Sequence, residues 1–79
     1  MWTKGTVTVL TKDGKPVVIH YWMKHYDGTS EFGINEGRIS KLSLRQDGRE
    51  VYNFDRGLDI EPQTMEAEMA LKLLMDKYN

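Results

Sequence analysis

The sequence contains no cysteine among its 79 residues. Disulfide bonds, thiolate catalysis and cysteine-ligated zinc are therefore excluded as ways to stabilise or use this chain. A small core must hold itself together, with an oligomer as the natural source of further support.

Net charge and long apolar runs are also lacking. The formal net charge is −1, so no overall field attracts the chain to nucleic acid or anionic lipid. No apolar run approaches the roughly 20 residues that span a bilayer, and the first residues do not follow the order of a signal peptide. We therefore expect a cytoplasmic protein with no membrane partner.

The length predicts a single domain over residues 1–79. A chain of this size buries roughly 60% of its unfolded surface, which leaves a stability of only a few kcal/mol. The apolar fraction is 39%, and the aromatic and β-branched residues present argue against disorder.

Residues 3–11 and 16–26 are rich in threonine, valine and aromatic residues and predict two strands. A three-residue loop of residues 12–14, with Gly14 left-handed, sets Val9 opposite Val17 and Val7 opposite Ile19. A two-residue Asp-Gly turn would instead mix aliphatic and polar residues on each face, so the sequence favours the longer loop.

Residues 39–46 and 50–56 predict a second hairpin around another Asp-Gly pair. A three-residue loop sets Leu42 opposite Tyr52, whereas a two-residue loop sets Leu42 opposite Asn53. The first gives the cleaner apolar face. Ile39 is out of phase with the leucines that follow, which indicates a bulge near Ser40.

Residues 57–61 predict a connector whose Leu58 and Ile60 close the core edge. A helix is expected from near Pro62 to about Lys77, because apolar residues recur there at intervals of three and four. The predicted fold is α+β: a four-stranded antiparallel meander (β-β-β-β-α) with one C-terminal helix packed on one face. The predicted core comprises Val7, Val9, Val17, Ile19, Tyr21, Met23, Leu42, Leu44, Tyr52, Phe54, Leu71 and Leu74.

The other sheet face is then exposed to solvent and combines rings with cations. It would carry Thr6, Thr8, His20, Trp22, Lys24, Tyr26, Lys41, Ser43, Arg45, Val51 and Asn53, with no acid among them. Such a surface is typical of protein interfaces, and also of platforms on which single-stranded nucleic acid stacks. A face with no specific partner is the third interpretation.

The second candidate surface is the long connection of residues 27–38, which contains three glycines. Phe32 and Ile34 must contact either the core edge or a partner. The glycines do not match a phosphate-binding loop, because no Gly-Lys-Ser/Thr follows and no helix begins there.

The sequence gives little support for a metal site or for catalysis. Asp55 and Asp59 lack the further oxygen ligands of a calcium loop. His20 and His25 are an odd number of residues apart on one strand, so they point to opposite faces and cannot share a metal without a bulge. We expect no metal, no cofactor, no small-molecule ligand and no enzymatic activity.

Two segments carry a resemblance: residues 30–42 (SEFGINEGRISKL) and residues 52–62 (YNFDRGLDIEP). They resemble a family of small uncharacterised domains encoded by Gram-positive gut bacteria, their phages and mobile elements. The resemblance implies a small intracellular accessory protein and transfers no catalytic residue. Arg38 and Arg56 lie in the shared segments, which makes them candidates for a structural or binding role.

The sequence thus predicts a non-enzymatic binding module. Its partner is a protein or a second copy of the chain, and single-stranded nucleic acid is the alternative, disfavoured by the net charge. The open sheet face and the 27–38 loop both remain candidate surfaces. The predicted binding residues are His20, Trp22, Lys24, Tyr26, Phe32, Ile34, Arg38, Lys41, Arg45 and Arg56.

Overall fold

The computed structural model describes residues 1–79 and shows an α+β fold with one antiparallel sheet. The strands follow one another across the sheet in chain order, and a short 3₁₀ turn, Ile34–Glu36, lies in the long connection before β3. The elements are β1 (Trp2–Leu10), β2 (Pro16–His25), β3 (Ile39–Gln46), β4 (Arg49–Asp55), β5 (Leu58–Ile60) and α1 (Met65–Tyr78).

The sheet has five strands, so the prediction of four is wrong. The predicted connector contains β5, which pairs with β4 through Asn53↔Ile60 and Phe54↔Leu58. Arg56, at a φ of 58°, and Gly57 form the turn between the two strands, and the Gly57 carbonyl accepts a hydrogen bond from the Asp55 amide. Leu58 is exposed at the resulting edge rather than closing the core.

The register predicted for the first hairpin is confirmed. Val9 lies opposite Val17 and Val7 lies opposite Ile19. Gly14 has a φ of 78°, and its amide donates to the Thr11 carbonyl at 2.9 Å. The left-handed glycine therefore closes the three-residue loop as expected.

The register predicted for the second hairpin is wrong. Asp47 and Gly48 both have positive φ and form a two-residue turn. A bulge at Val51 then shifts β4 by one residue, so that Leu42 faces Phe54 and Leu44 faces Tyr52. The bulge restores the apolar face that a two-residue turn alone would lose. It also buries Val51, which the sequence had assigned to the open face.

The bulge expected near Ser40 is confirmed. Lys24 pairs with Lys41 and His25 pairs with Ile39, which leaves Ser40 as the extra residue of β3. Ile39 and Ser40 are both buried because the bulge turns two successive side chains inward.

Helix α1 begins at Met65, three residues after Pro62, and Thr64 is its N-cap residue. The Thr64 hydroxyl oxygen accepts a hydrogen bond from the Ala67 amide at 3.0 Å and donates its own hydrogen to the Gln46 side chain at 2.7 Å. The cap therefore fixes the start of α1 against the end of β3. The helix buries Ala67, Ala70 and Leu74 against the sheet.

All twelve predicted core residues are buried or packed against the core. Buried hydrophobic residues outside that prediction are Ile34, Ile39, Val51, Ala67 and Ala70. Ile19 is 0% exposed under α1, whereas Trp22 is 41% exposed on the opposite face, so the helix covers the face that the sequence predicts. No helix of the chain is long and apolar enough to cross a membrane.

Candidate binding surface on the open sheet face

The open face is the side of the sheet that α1 does not cover. Alternate residues of the strands project from it, and β1 contributes three that the sequence analysis did not include, Trp2, Lys4 and Leu10. Its members are Trp2, Lys4, Thr6, Thr8, Leu10, Val18, His20, Trp22, Lys24, Tyr26, Lys41, Ser43, Arg45, Glu50, Asn53 and Asp55.

Trp22 lies on β2 between neighbouring strands, and Arg45 covers part of its ring. The guanidinium carbon is 5.6 Å from the indole centroid, and β2–β3 pairing places Trp22 opposite Ser43. A cation at this distance interacts favourably with the ring face. An indole fixed in this way on a rigid strand is pre-organised for contact with a partner.

A second cation is held between two rings at one end of the open face. The Lys24 ammonium is 5.7 Å from the Trp2 ring and 5.6 Å from the Tyr26 ring. Trp2 reaches it because β1–β2 pairing sets Trp2 opposite Lys24. Lys24 has no acidic partner, so its charge remains available to a ligand.

The expectation of an acid-free face is wrong. Glu50 accepts a hydrogen bond from the Ser43 hydroxyl at 2.6 Å, and Asp55 lies 3.5 Å from the Lys41 ammonium. Both acids come from β4, and a third, Asp59 of β5, accepts a hydrogen bond of 2.9 Å from Asn53 of this face. The bulge at Val51 brings Glu50 to this face, whereas Asp55 follows Asn53 by alternation. Lys41 and Asp55 are substantially exposed, so the ion pair adds little stability.

A cleft of about 330 Å³ opens where the open face meets the 27–38 loop. Its walls combine three cations, two aromatic rings and two hydroxyls. The lining residues are Lys24, Tyr26, Ser30, Phe32, Ser40, Lys41 and Arg56. The bulge at Ser40 and the 3₁₀-containing loop together create this space.

Arg56 enters the cleft from a left-handed backbone conformation. Its φ is 58°, and its amide is held by a hydrogen bond of 2.9 Å to the Ser40 carbonyl. The guanidinium carbon lies 5.1 Å from the Phe32 ring centroid. Such a conformation costs an arginine about 1 kcal/mol or more, and residues that retain strain of this kind cluster at binding sites.

The loop holds Phe32 and Ile34 differently. Phe32 is exposed beside Arg56, whereas Ile34 is 6% exposed and joins the core. Asn79 stabilises this arrangement through two hydrogen bonds, which we call the Asn79 clasp. Its side chain accepts from the Ile39 amide and donates to the Ile34 carbonyl. A Cβ on Gly37 would overlap the Asn79 side chain, so the clasp requires glycine there.

The structure brings five of the ten predicted binding residues together in the cleft: Lys24, Tyr26, Phe32, Lys41 and Arg56. His20, Trp22 and Arg45 lie farther along the open face. Ile34 is buried and cannot contact a partner. Arg38 is half-buried and does not line the cleft. Its carbonyl accepts the Tyr26 amide at 3.0 Å and so closes the loop.

Trp2 is the main surface residue that sequence reasoning missed. The alternation of Trp2, Lys4, Thr6 and Thr8 continues one residue beyond the predicted start of β1, which is the signal that could have placed it. Trp2, Thr3, Lys4 and Trp22 line a shallow depression of about 340 Å³.

The two histidines lie on opposite sides of the sheet, as predicted. His20 is exposed on the open face, whereas His25 shares a hydrogen bond with Thr3 and lies 5.1 Å from the Tyr78 ring. No group of three or more histidine, cysteine, aspartate or glutamate side chains is placed to hold a metal ion.

A family model described as "Domain of unknown function (DUF7678)" matches residues 1–79. The chain belongs to this family. The family covers the open face, the cleft and the helix together, which agrees with the resemblance of the 30–42 and 52–62 segments to a family of uncharacterised domains. No curated protein and no solved structure matches the chain.

Proposed function

We propose that this chain is a non-enzymatic binding module that docks an acidic segment of a protein partner on the open face. The observation that carries the proposal is the exposed Trp22 ring under Arg45, with Trp2, Lys24 and Tyr26 beside it. Tryptophan, tyrosine and arginine are the residues that most often dominate interface energies.

Charge favours an acidic partner over a second copy on this face. Lys4, Lys24 and Arg45 share the open face without an ion-pair partner. Lys41 pairs with Asp55, and the carboxylates of Glu50 and Asp59 accept hydrogen bonds from Ser43 and Asn53. Two copies docked face to face would bring these cations together, which is unfavourable. An acidic segment would instead meet unpaired cations and exposed rings.

The experiment is capture from the native host, followed by reconstitution with the captured protein after purification. Trp22→Ala should raise the dissociation constant of the purified pair by about thirtyfold, the effect of losing an interface anchor. Arg45→Glu should weaken binding further and reduce its dependence on salt. Both substituted side chains are exposed, so the fold should persist.

The control is Leu73→Ala, which removes an exposed apolar side chain from the outer surface of α1. It should leave the dissociation constant unchanged. Loss of binding in Leu73→Ala with retention in Trp22→Ala would move the docking surface to the helix and refute the proposal.

Single-stranded nucleic acid is the second candidate, and the cleft is the observation that favours it. Lys24, Lys41 and Arg56 could hold phosphate while the Tyr26 and Phe32 rings stack on bases. Fluorescence anisotropy with a labelled oligothymidine tests this candidate. Binding should weaken steeply as salt rises, and no signal at low salt excludes it.

We also propose where the module acts and in what role. The resemblance of residues 30–42 and 52–62 to domains of Gram-positive gut bacteria, phages and mobile elements supports an accessory role in the cytoplasm. Such a role fits a small module that has a binding surface and no catalytic constellation.

A further inference from the structure

We infer that two copies of this chain pair along their β1 strands, in antiparallel orientation, with Thr6 opposite Thr6 of the second copy. The inference concerns the edge of the sheet rather than the open face, and it does not depend on the proposed function. It follows from the backbone groups that β1 leaves free, from the side chains along it and from its length.

The hydrogen-bond pattern of the first hairpin shows which backbone groups of β1 point outward. Met1 and His25 exchange hydrogen bonds at 3.1 and 3.0 Å, and the Thr11 amide bonds the Lys15 carbonyl at 2.9 Å. Odd-numbered residues of β1 therefore bond to β2. The N–H and C=O groups of the even-numbered residues, Trp2 to Leu10, point away from the sheet.

No other element pairs with this edge, because β1 is the first strand of the sheet and pairs with β2 alone. The strand is nine residues long and has no proline and no bulge. Monomeric proteins usually protect such an edge by shortening, bending or heavily charging it. β5, at the opposite edge, is three residues long and offers no comparable template.

The side chains select one register. With Thr6 on the two-fold axis, Trp2 lies opposite Leu10 and Lys4 lies opposite Thr8 of the second copy. Trp2 and Leu10 are 61% and 56% exposed in the single chain, and each would gain an apolar cross-strand neighbour. The central Thr–Thr pair is also favourable in antiparallel sheets.

The immediately neighbouring registers are poorer. Centring the pair on Gly5 would place Trp2 opposite Thr8, and centring it on Val7 would pair only residues 4–10 and leave Trp2 without a partner.

The registers one step farther along are poorer too. Centring the pair on Lys4 would place two ammonium groups opposite each other, which is destabilising. Centring it on Thr8 would pair only residues 6–10 and leave Trp2 without a partner. The Thr6 register uses the whole strand, is isologous, and produces one continuous sheet from two five-stranded sheets.

A single engineered thiol tests the register, because the chain contains no cysteine. Thr6→Cys should form a covalent dimer in the presence of oxidised glutathione, since opposing residues of a hydrogen-bonded pair lie about 5.5 Å apart between Cα atoms, within disulfide reach. Thr8→Cys is the matched control on the same strand and face. It would lie opposite Lys4 of the second copy and should remain monomeric on a non-reducing gel.

Light scattering after size exclusion tests the association without a cross-link. The wild-type chain should run as a dimer. Thr8→Lys should raise the dimer dissociation constant by about tenfold, because symmetry places two like-charge pairs with Lys4 across the interface, whereas Thr8→Glu should lower it. A wild-type monomer at high concentration overturns the inference, and so does cross-linking of Thr8→Cys in preference to Thr6→Cys.

Discussion

The side-chain oxygen of Asn79 accepts a hydrogen bond of 2.9 Å from the backbone N–H of Ile39. The same side chain donates to the Ile34 carbonyl at 3.0 Å. The residue that follows α1 therefore fixes both the start of β3 and the 3₁₀ turn within the 27–38 loop. This clasp holds one wall of the cleft, since Phe32 lies two residues before Ile34.

Replacing Asn79 should loosen this wall. Asn79→Ala leaves the part-buried Ile39 amide without its partner and removes one of two donors to the Ile34 carbonyl, which keeps the Gly37 amide. The free energy of unfolding should therefore fall by about 1–3 kcal/mol in urea denaturation. Asn79→Asp retains the acceptor for Ile39 and loses only the donor to Ile34, so its loss should be smaller. Equal stability of Asn79→Ala and the wild type would show that the clasp contributes nothing.

The loop glycines should differ sharply in their tolerance of a methyl group. A Cβ on Gly33 would overlap the Gly37 carbonyl, whereas a Cβ on Gly28 meets nothing. Gly33→Ala should therefore lower the midpoint of urea denaturation by an amount equivalent to about 1–3 kcal/mol, and Gly28→Ala should leave it nearly unchanged. Similar midpoints for the two variants would contradict the packing described for the loop.

Removing the Arg56 side chain should leave the stability unchanged or higher and should weaken binding. Arg56→Gly relieves the left-handed strain at φ 58° and adds glycine's unfolded-state entropy, so stability should be unchanged or raised by up to about 1 kcal/mol. The cation beside Phe32 is lost, so any oligothymidine affinity measured by anisotropy should fall. A large loss of stability would show that the Arg56 side chain serves the fold instead.

Stability should decline in alkali through Tyr52. Burial raises the pKa of Tyr52 from 10 to about 12, because the interior disfavours the phenolate. The folded state then holds this proton more tightly than the unfolded chain does. The contribution is complete below pH 10 and is lost as the pH rises towards 12, by about 2 kcal/mol.

The control for this titration is Tyr52→Phe, which should show a shallower alkaline loss in urea denaturation. Some loss should persist, because burial and a hydrogen bond with Tyr78 also raise the pKa of Tyr21. Parallel curves for the variant and the wild type would mean that the Tyr52 phenol is solvated in the folded state.

The two hairpins show what the sequence could and could not predict. Val9 and Val17 were matched correctly because a left-handed Gly14 and an aliphatic face require the same loop. Leu42 was matched wrongly because the bulge at Val51 depends on packing against the rest of the sheet, which no local signal reveals. Tyr52 and Phe54 lie on the predicted face, since beyond the bulge the true register differs from the predicted one by two residues, whereas Val51 is buried instead of exposed.

The candidate surface was predicted in part for a similar reason. Alternation along β2 identifies Trp22 and Lys24 as neighbours on one face, and the structure agrees. The approach of Arg56 to Phe32 could not be predicted, because it joins two irregular segments through a left-handed backbone. Ile34 entered the core and Phe32 remained outside because Asn79 anchors the turn, a contact across 45 residues.

Helix α1 covers the Ile19 side of the sheet and leaves the Trp22 side exposed to solvent, and the proposed docking surface depends on this arrangement. The most direct measurement is the free energy of unfolding of Ile19→Ala and Trp22→Ala by urea denaturation under identical conditions. Ile19→Ala should lose about 2–5 kcal/mol, as expected for a fully buried side chain, whereas Trp22→Ala should lose only about 1 kcal/mol. A loss in Trp22→Ala equal to or greater than that in Ile19→Ala would place the indole in the core and contradict the account.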